Sequence, residues 1–112
     1  MTYKSINPNN GTILKTFDEI SDAQLEIKLA TAHACYQTWK NTSYKQRAAI
    51  MAKAAELLHA HTDDFAKLAT LEMGKRIDEA RGEVNFSGKI LSYYADHAEA
   101  FLAPEKLDPE HG

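Results

Sequence analysis

The hydrophobic pattern changes period once along the chain. Ile6-Asn7-Pro8 and Thr12-Ile13-Leu14-Lys15-Thr16-Phe17 flank Asn9-Asn10-Gly11, and Asn-Gly supplies the positive φ angles of turns that close hairpins. The pattern predicts a short β-hairpin over residues 3–18. From Ser21 onward the apolar spacing becomes three and four. Ser21 and Gln24 fit the capping box S-x-x-Q, and Leu25, Leu29, Ala32, Tyr36 and Trp39 then form one stripe, which predicts a helix over 22–39. A second box, Ser43 to Gln46, opens a helix over 44–61 in which Ile50, Ala54, Leu57, Leu58 and His61 share a face, with Met51 beside them. Thr62 offers an N-cap for a third helix, 63–73. There Asp63 and Asp64 suit the positive end of the dipole, Phe65, Leu68, Ala69 and Glu72 carry the stripe, and Gly74 is the stop.

The last element is the odd one. Ile77, Ala80, Arg81, Val84, Gly88, Leu91, Ala95, Ala98 and Leu102 keep helical spacing until Pro104, a run of up to 27 residues over 77–103, or about 40 Å. A chain of this length folded as a globule has a radius of gyration of only ~13 Å, hence a diameter of ~34 Å. The helix is longer than its own domain. Gly82 and Gly88 lie inside it, where each costs about 1 kcal/mol against Ala, an expense expected where another backbone packs close or the helix bends. Residues 104–112 read as a polar connector.

Composition agrees with helices. The chain has 112 residues, one small domain at most, with 17 Ala and a single Val, a balance that favours helix over sheet. The expected class is mainly α: a short N-terminal hairpin followed by about four helices. Lys and Arg number 13 against 16 Asp and Glu, a net charge of −3, so no cationic stripe points to nucleic acid. No stretch approaches the ~20 apolar residues that span a bilayer, and the start lacks the apolar region of a signal peptide. The expectation is a cytoplasmic protein with no membrane partner. Cys35 is the only cysteine, which excludes a disulfide framework and a thiolate zinc site.

The candidate chemistry is thin. His59 and His61 stand two apart, about 200° round a helix, whereas zinc-binding helices place ligands three or four apart. His33, His97 and His111 read as surface or capping residues, since no carboxylate and nucleophile stand near them at a usable spacing. Cys35, among Ala32, Ala34 and Tyr36, reads as a buried structural thiol, slow to alkylate. Asp63 and Asp64 read as dipole partners rather than cation ligands. Lys75-Arg76 after Gly74 could hold a phosphate, but no G-x-G-x-x-G and no G-x-x-x-x-G-K-[ST] is present to cradle one. Tyr93, Tyr94 and Phe101 read as core or contact aromatics. No catalytic, cofactor-binding or metal-binding residue is therefore assigned.

Five stretches carry a family resemblance: Ile6-Asn7-Pro8-Asn9-Asn10-Gly11, Tyr36-Gln37-Thr38-Trp39, Lys45-Gln46-Arg47-Ala48, Leu71-Glu72-Met73-Gly74-Lys75 and Glu79-Ala80-Arg81-Gly82-Glu83-Val84. In this order they resemble the amino-terminal part of the NAD(P)-dependent aldehyde dehydrogenase superfamily. Glu-Met-Gly-Lys and Tyr93-Tyr94-Ala95-Asp96-His97-Ala98 are most similar to bacterial succinate-semialdehyde dehydrogenases. The resemblance implies a homo-oligomeric enzyme in which a cysteine attacks the aldehyde, hydride passes to the nicotinamide of NAD or NADP, and a glutamate activates the hydrolytic water. It places those residues beyond position 112. Neither Cys35 nor Glu72 matches the catalytic motifs, so no active-site role is carried over. The implied partner of these helices is the rest of such a chain, against the cofactor-binding domain.

Two functions are compatible with this reading. The first is the amino-terminal segment of an aldehyde-oxidising enzyme, inactive by itself. The alternative is a free-standing helical interaction module that kept the scaffold without the chemistry. The reading frame beyond Gly112 discriminates between them. Under the first, Val84, Phe86, Leu91 and Tyr94 cannot all face three short Ala-rich helices, so the isolated chain exposes an apolar surface and self-associates or holds only loose structure.

Overall fold

Two short strands open the chain. β1 (Thr2–Ile6) and β2 (Ile13–Asp18) pair antiparallel, from Thr2 opposite Asp18 to Ile6 opposite Ile13, with an irregularity between Ser5 and Ile6. The computed structural model describes residues 2–107. Its hairpin turn follows from local polar chemistry. Gly11 takes φ 73°, its N–H donates to the Asn7 carbonyl at 2.8 Å, and Asn10 Oδ1 accepts from both the N–H and the hydroxyl of Thr12 at 3.0 and 2.8 Å.

Four helices follow: α1 (Asp22–Trp39), α2 (Tyr44–Ala60), α3 (Thr62–Met73) and α4 (Ile77–Phe101). Both capping boxes are formed. Gln24 N–H donates to Ser21 Oγ while Ser21 N–H donates to Gln24 Oε1, and Ser43 and Gln46 repeat the exchange. Thr62 does not cap α3. His61 stands at the N-cap, and the Thr62 hydroxyl, inside the helix, donates back to the carbonyls of Leu58 and His59, a bond open to a hydroxyl that follows a helix directly. Gly74 ends α3 in the left-handed conformation at φ 71°. A Cβ there would lie 3.1 Å from Pro8 Cγ, and Ser5 Oγ donates to Glu72 Oε1 at 2.7 Å. These two contacts seat the hairpin on the end of α3.

α2 and α3 pack on α4. The buried residues are Ala55, Ala66, Ala80 and Gly88; no large side chain is fully buried among the described residues. Small residues let the helix backbones approach, and Leu58, Val84 and Leu91 are half-buried beside them. On α4 the predicted stripe is the packed one from Ile77 to Ala98, apart from Arg81, which is exposed. On α2 and α3 the packed face is rotated from the prediction. Ala54, Leu58 and Ala69 of the predicted stripes are half-buried, but Ile50, Leu57, Phe65 and Leu68 are exposed, and Ala55 and Ala66 are buried. Apolarity alone had placed the bulkiest residues inward, whereas close helix crossing selects the smallest.

α1 departs furthest from expectation. Every residue from 21 to 40 is exposed, Cys35 included, so the reading of Cys35 as buried is corrected: its helix packs against no other element extensively among the described residues. Arg47 ties the end of α1 to α2. Its Nε donates to Thr42 Oγ1 at 2.8 Å, its Nη2 donates to the carbonyls of Trp39 and Lys40, and its guanidinium lies 5.6 Å from the Trp39 ring centre. With α1 standing away from the helical layer and the hairpin seated on the end of α3, the radius of gyration is 20.2 Å and the extents are 66 × 42 × 29 Å. That replaces the expected globule of ~13 Å radius of gyration.

Candidate functional site

The residues considered for chemistry are dispersed. His59 lies against α4, its Nδ1 donating to Asn85 Oδ1 at 3.2 Å, whereas His61 turns to Asp64 Oδ2 at 3.3 Å. No group of three or more His, Cys, Asp or Glu that could hold a metal occurs among the described residues. Asp63 pairs with Arg81 Nε at 2.7 Å, and Asp78 lies 3.4 Å from Arg81 Nη1. The hydrogen bond and charge of Asp63, then Asp78, hold the Arg81 guanidinium protonated above its usual range. Lys75 pairs with Glu83, and Arg76 lies 4.0 Å from Glu79. Both cations that could have met a phosphate thus face carboxylates. His111 lies outside the described residues, as do residues 108–112 of the connector.

What the structure does assemble is a surface on α4. Tyr93 and His97 stack with ring centres 4.3 Å apart and an interplanar angle of 22°, and Phe101 continues the ladder 6.0 Å beyond His97. His97 Nδ1 donates to the Tyr93 carbonyl at 2.7 Å, which fixes the ring along the helix. Tyr94 meets Tyr93 edge-on at 5.6 Å. Before them Phe86 and Ile90 complete an apolar face with Lys89. On the other flank of Tyr94, a groove of about 220 Å³ runs between the start of α2 and the end of α4, past Tyr44, Met51 and Leu102.

Tyr93, Tyr94 and Phe101 are contact aromatics rather than core, each at least half exposed. The ladder was readable from sequence, since Tyr93, His97 and Phe101 stand four apart and so share a helix face; taking His97 singly concealed it. The Arg47 anchor was not readable, because its acceptors are carbonyls supplied by the α1–α2 turn.

No reaction centre is formed by these groups. Comparison with known proteins says what the architecture is instead. The sequence pattern of the Aldehyde dehydrogenase family matches residues 1–111. The chain belongs to the aldehyde dehydrogenase family. It is 38% identical over 110 residues to the NADP(+) succinate-semialdehyde dehydrogenase of Deinococcus radiodurans, a match that covers 98% of this chain and 23% of that protein. Among solved structures, the succinic semialdehyde dehydrogenase of Streptococcus pyogenes in complex with NADP+ superposes with a TM-score of 0.90 at 35% identity, over 98% of this chain and 24% of that one. Succinate-semialdehyde dehydrogenase of Burkholderia pseudomallei gives 0.83 at 27% identity, over 97% and 23%. The chain therefore spans about a quarter of the length of the relatives it matches. No helix among the described residues is long and apolar enough to cross a membrane.

Proposed function

We propose that this chain is the amino-terminal segment of an NAD(P)-dependent aldehyde dehydrogenase whose full-length form oxidises succinate semialdehyde to succinate. The observation that carries the reading is the near-complete match of this chain to relatives bearing that activity in their names. The same relatives are named with NADP+, which makes NADP+ the first cofactor to test. In this reading the segment is scaffold. Its own residues do not fit a dinucleotide: the Lys75-Arg76 cations face Glu83 and Glu79, and no glycine-rich phosphate turn occurs in the sequence. Nucleophile, water-activating carboxylate and cofactor site belong to the remaining three-quarters of the enzyme, acting as a homo-oligomer in the cytoplasm.

A chimera tests the scaffold role. Residues 1–112 replace the matched segment of the Deinococcus enzyme, and NADP+ reduction with succinate semialdehyde is followed. Turnover within about tenfold of the parent, ~1.4 kcal/mol of barrier, is expected. A chimera that folds and assembles like the parent but turns over no substrate would contradict the reading. For the substrate, the product of the whole reading frame is assayed with succinate semialdehyde beside longer and uncharged aldehydes. Preference for another aldehyde would leave the family and remove the substrate.

A further inference from the structure

The chain holds five asparagines, Asn7, Asn9, Asn10, Asn41 and Asn85, and the fold separates one of them from the rest. Asparagine is thermolabile because the backbone nitrogen of the next residue can attack its side-chain amide. Asn7 precedes Pro8, whose nitrogen carries no hydrogen to give up. Asn9 precedes Asn10, whose Cβ crowds the attack. Asn41 precedes Thr42, whose N–H donates to the Trp39 carbonyl at 3.0 Å, and Asn85 lies inside α4 with its Oδ1 accepting from the Thr62 hydroxyl at 3.2 Å. Asn10 alone precedes a glycine. Both residues are exposed in the hairpin turn, and Gly11 stands at φ 73° with nothing within 4 Å of where a Cβ would lie, so its nitrogen is reached without steric cost. Asn10 Oδ1 accepts from the Thr12 N–H at 3.0 Å and from the Thr12 hydroxyl at 2.8 Å. Two donors on one oxygen restrain the amide and stand where negative charge gathers when a nucleophile adds to Cγ. One contact opposes the attack, the bond from the Gly11 N–H to the Asn7 carbonyl at 2.8 Å. It lies in an exposed turn and is released whenever that turn opens locally.

We propose that Asn10 is a site of spontaneous covalent modification, in which the Gly11 backbone nitrogen closes on Asn10 Cγ and the side-chain amide leaves as ammonia. Hydroxide takes the Gly11 amide proton, the N–Cγ bond forms and the Cγ–Nδ2 bond breaks. Nδ2 departs with a proton from water, which returns the hydroxide. A second water opens the five-membered imide at either carbonyl, leaving aspartate at position 10 or a β-linked aspartate with one extra backbone atom. Nothing is oxidised or reduced, and the inference is independent of the function proposed above. The β-linked product lengthens a turn whose Pro8 is seated against Gly74 and whose strand is tied through Ser5 to Glu72, so the modification reaches the end of α3.

The test holds the purified chain at mildly alkaline pH and follows it by trypsin digestion and mass spectrometry, with Ser5–Lys15 released as one peptide. The expected result is the mass gain of amide-to-acid conversion at residue 10, faster by about tenfold or more than at any other asparagine, ~1.4 kcal/mol of barrier, and rising in proportion to hydroxide. A protease that cuts before ordinary aspartate should cleave only part of the product, the β-linked part resisting. Thr12→Val should slow the folded chain by about threefold, the worth of one net hydrogen bond, and Thr12→Ser should restore the rate. In urea, where the turn is undone, the three chains should react alike. Asn10→Gln should abolish the gain in this peptide. Reaction at Asn10 no faster than at Asn41 or Asn85 overturns the proposal, as does an unchanged gain in Asn10→Gln. A Thr12→Val effect that persists in urea, or none in the folded chain, overturns the part given to Thr12. Modified chains separated by ion exchange should show faster hydrogen exchange of the β1 amides; unchanged exchange overturns the reach to α3.

Discussion

Gly88 and Gly82 sit six residues, about one and two-thirds turns, apart on α4 and have opposite reasons to be glycine. A Cβ on Gly88 would lie 2.7 Å from Cε1 and Nε2 of His59, whereas a Cβ on Gly82 meets nothing within 4 Å. Gly88→Ala should therefore destabilise the chain by ~1–3 kcal/mol through overpacking, and His59→Ala should relieve most of that cost. Gly82→Ala should stabilise it by about 1 kcal/mol. Urea unfolding followed by circular dichroism checks the set; equal effects at the two glycines would contradict the packing. The sequence shows both glycines as helix-interior residues without distinguishing them, because the distinction lies in a side chain 29 positions away. Cys35 teaches the same limit. Its neighbours Ala32, Ala34 and Tyr36 make an apolar setting only if something covers them, and in this chain its helix face is open. A thiol reagent should thus modify Cys35 completely in the folded chain, at the rate seen in urea to within about threefold; strong protection would show that α1 is covered.

Each element was legible where its signal is local. The Asn-Gly turn, the two S-x-x-Q boxes and the Gly74 stop act within four residues, and all appear as read. Ser43→Ala should accordingly cost about 1 kcal/mol. Gly74→Ala should cost at least as much, because a Cβ there combines positive φ with a 3.1 Å approach to Pro8; loss of the Ser5–Glu72 contact on the same substitution would appear as faster exchange of the β1 amides. The inward faces of α2 and α3 were not fully legible, because Phe65 and Leu68 satisfy the helical period as well as Ala66 and Thr70 do. Which stripe turns inward depends on how closely α4 approaches. Hydrogen exchange separates the elements: amides of α1 should exchange much faster than those at the centre of α4, since few tertiary contacts oppose their opening. Equal protection would contradict the open position of α1.

At the scale of the whole molecule, the over-long terminal helix was the most informative feature of the sequence. It signalled neighbours beyond a self-contained globule, and the family match over a quarter of each relative's length accounts for them. The candidate site could be read only as an absence of chemistry, and the surface that takes its place depends on ring stacking along α4 that composition does not reveal. The central claim is the proposal that these 112 residues serve as scaffold and that the reacting groups lie elsewhere in the enzyme. Its most direct test is nicotinamide reduction by the purified chain with succinate semialdehyde and either NAD+ or NADP+, beside calorimetric titration of each cofactor. The account predicts no reduction and no binding heat; turnover that Cys35→Ser abolishes would contradict it.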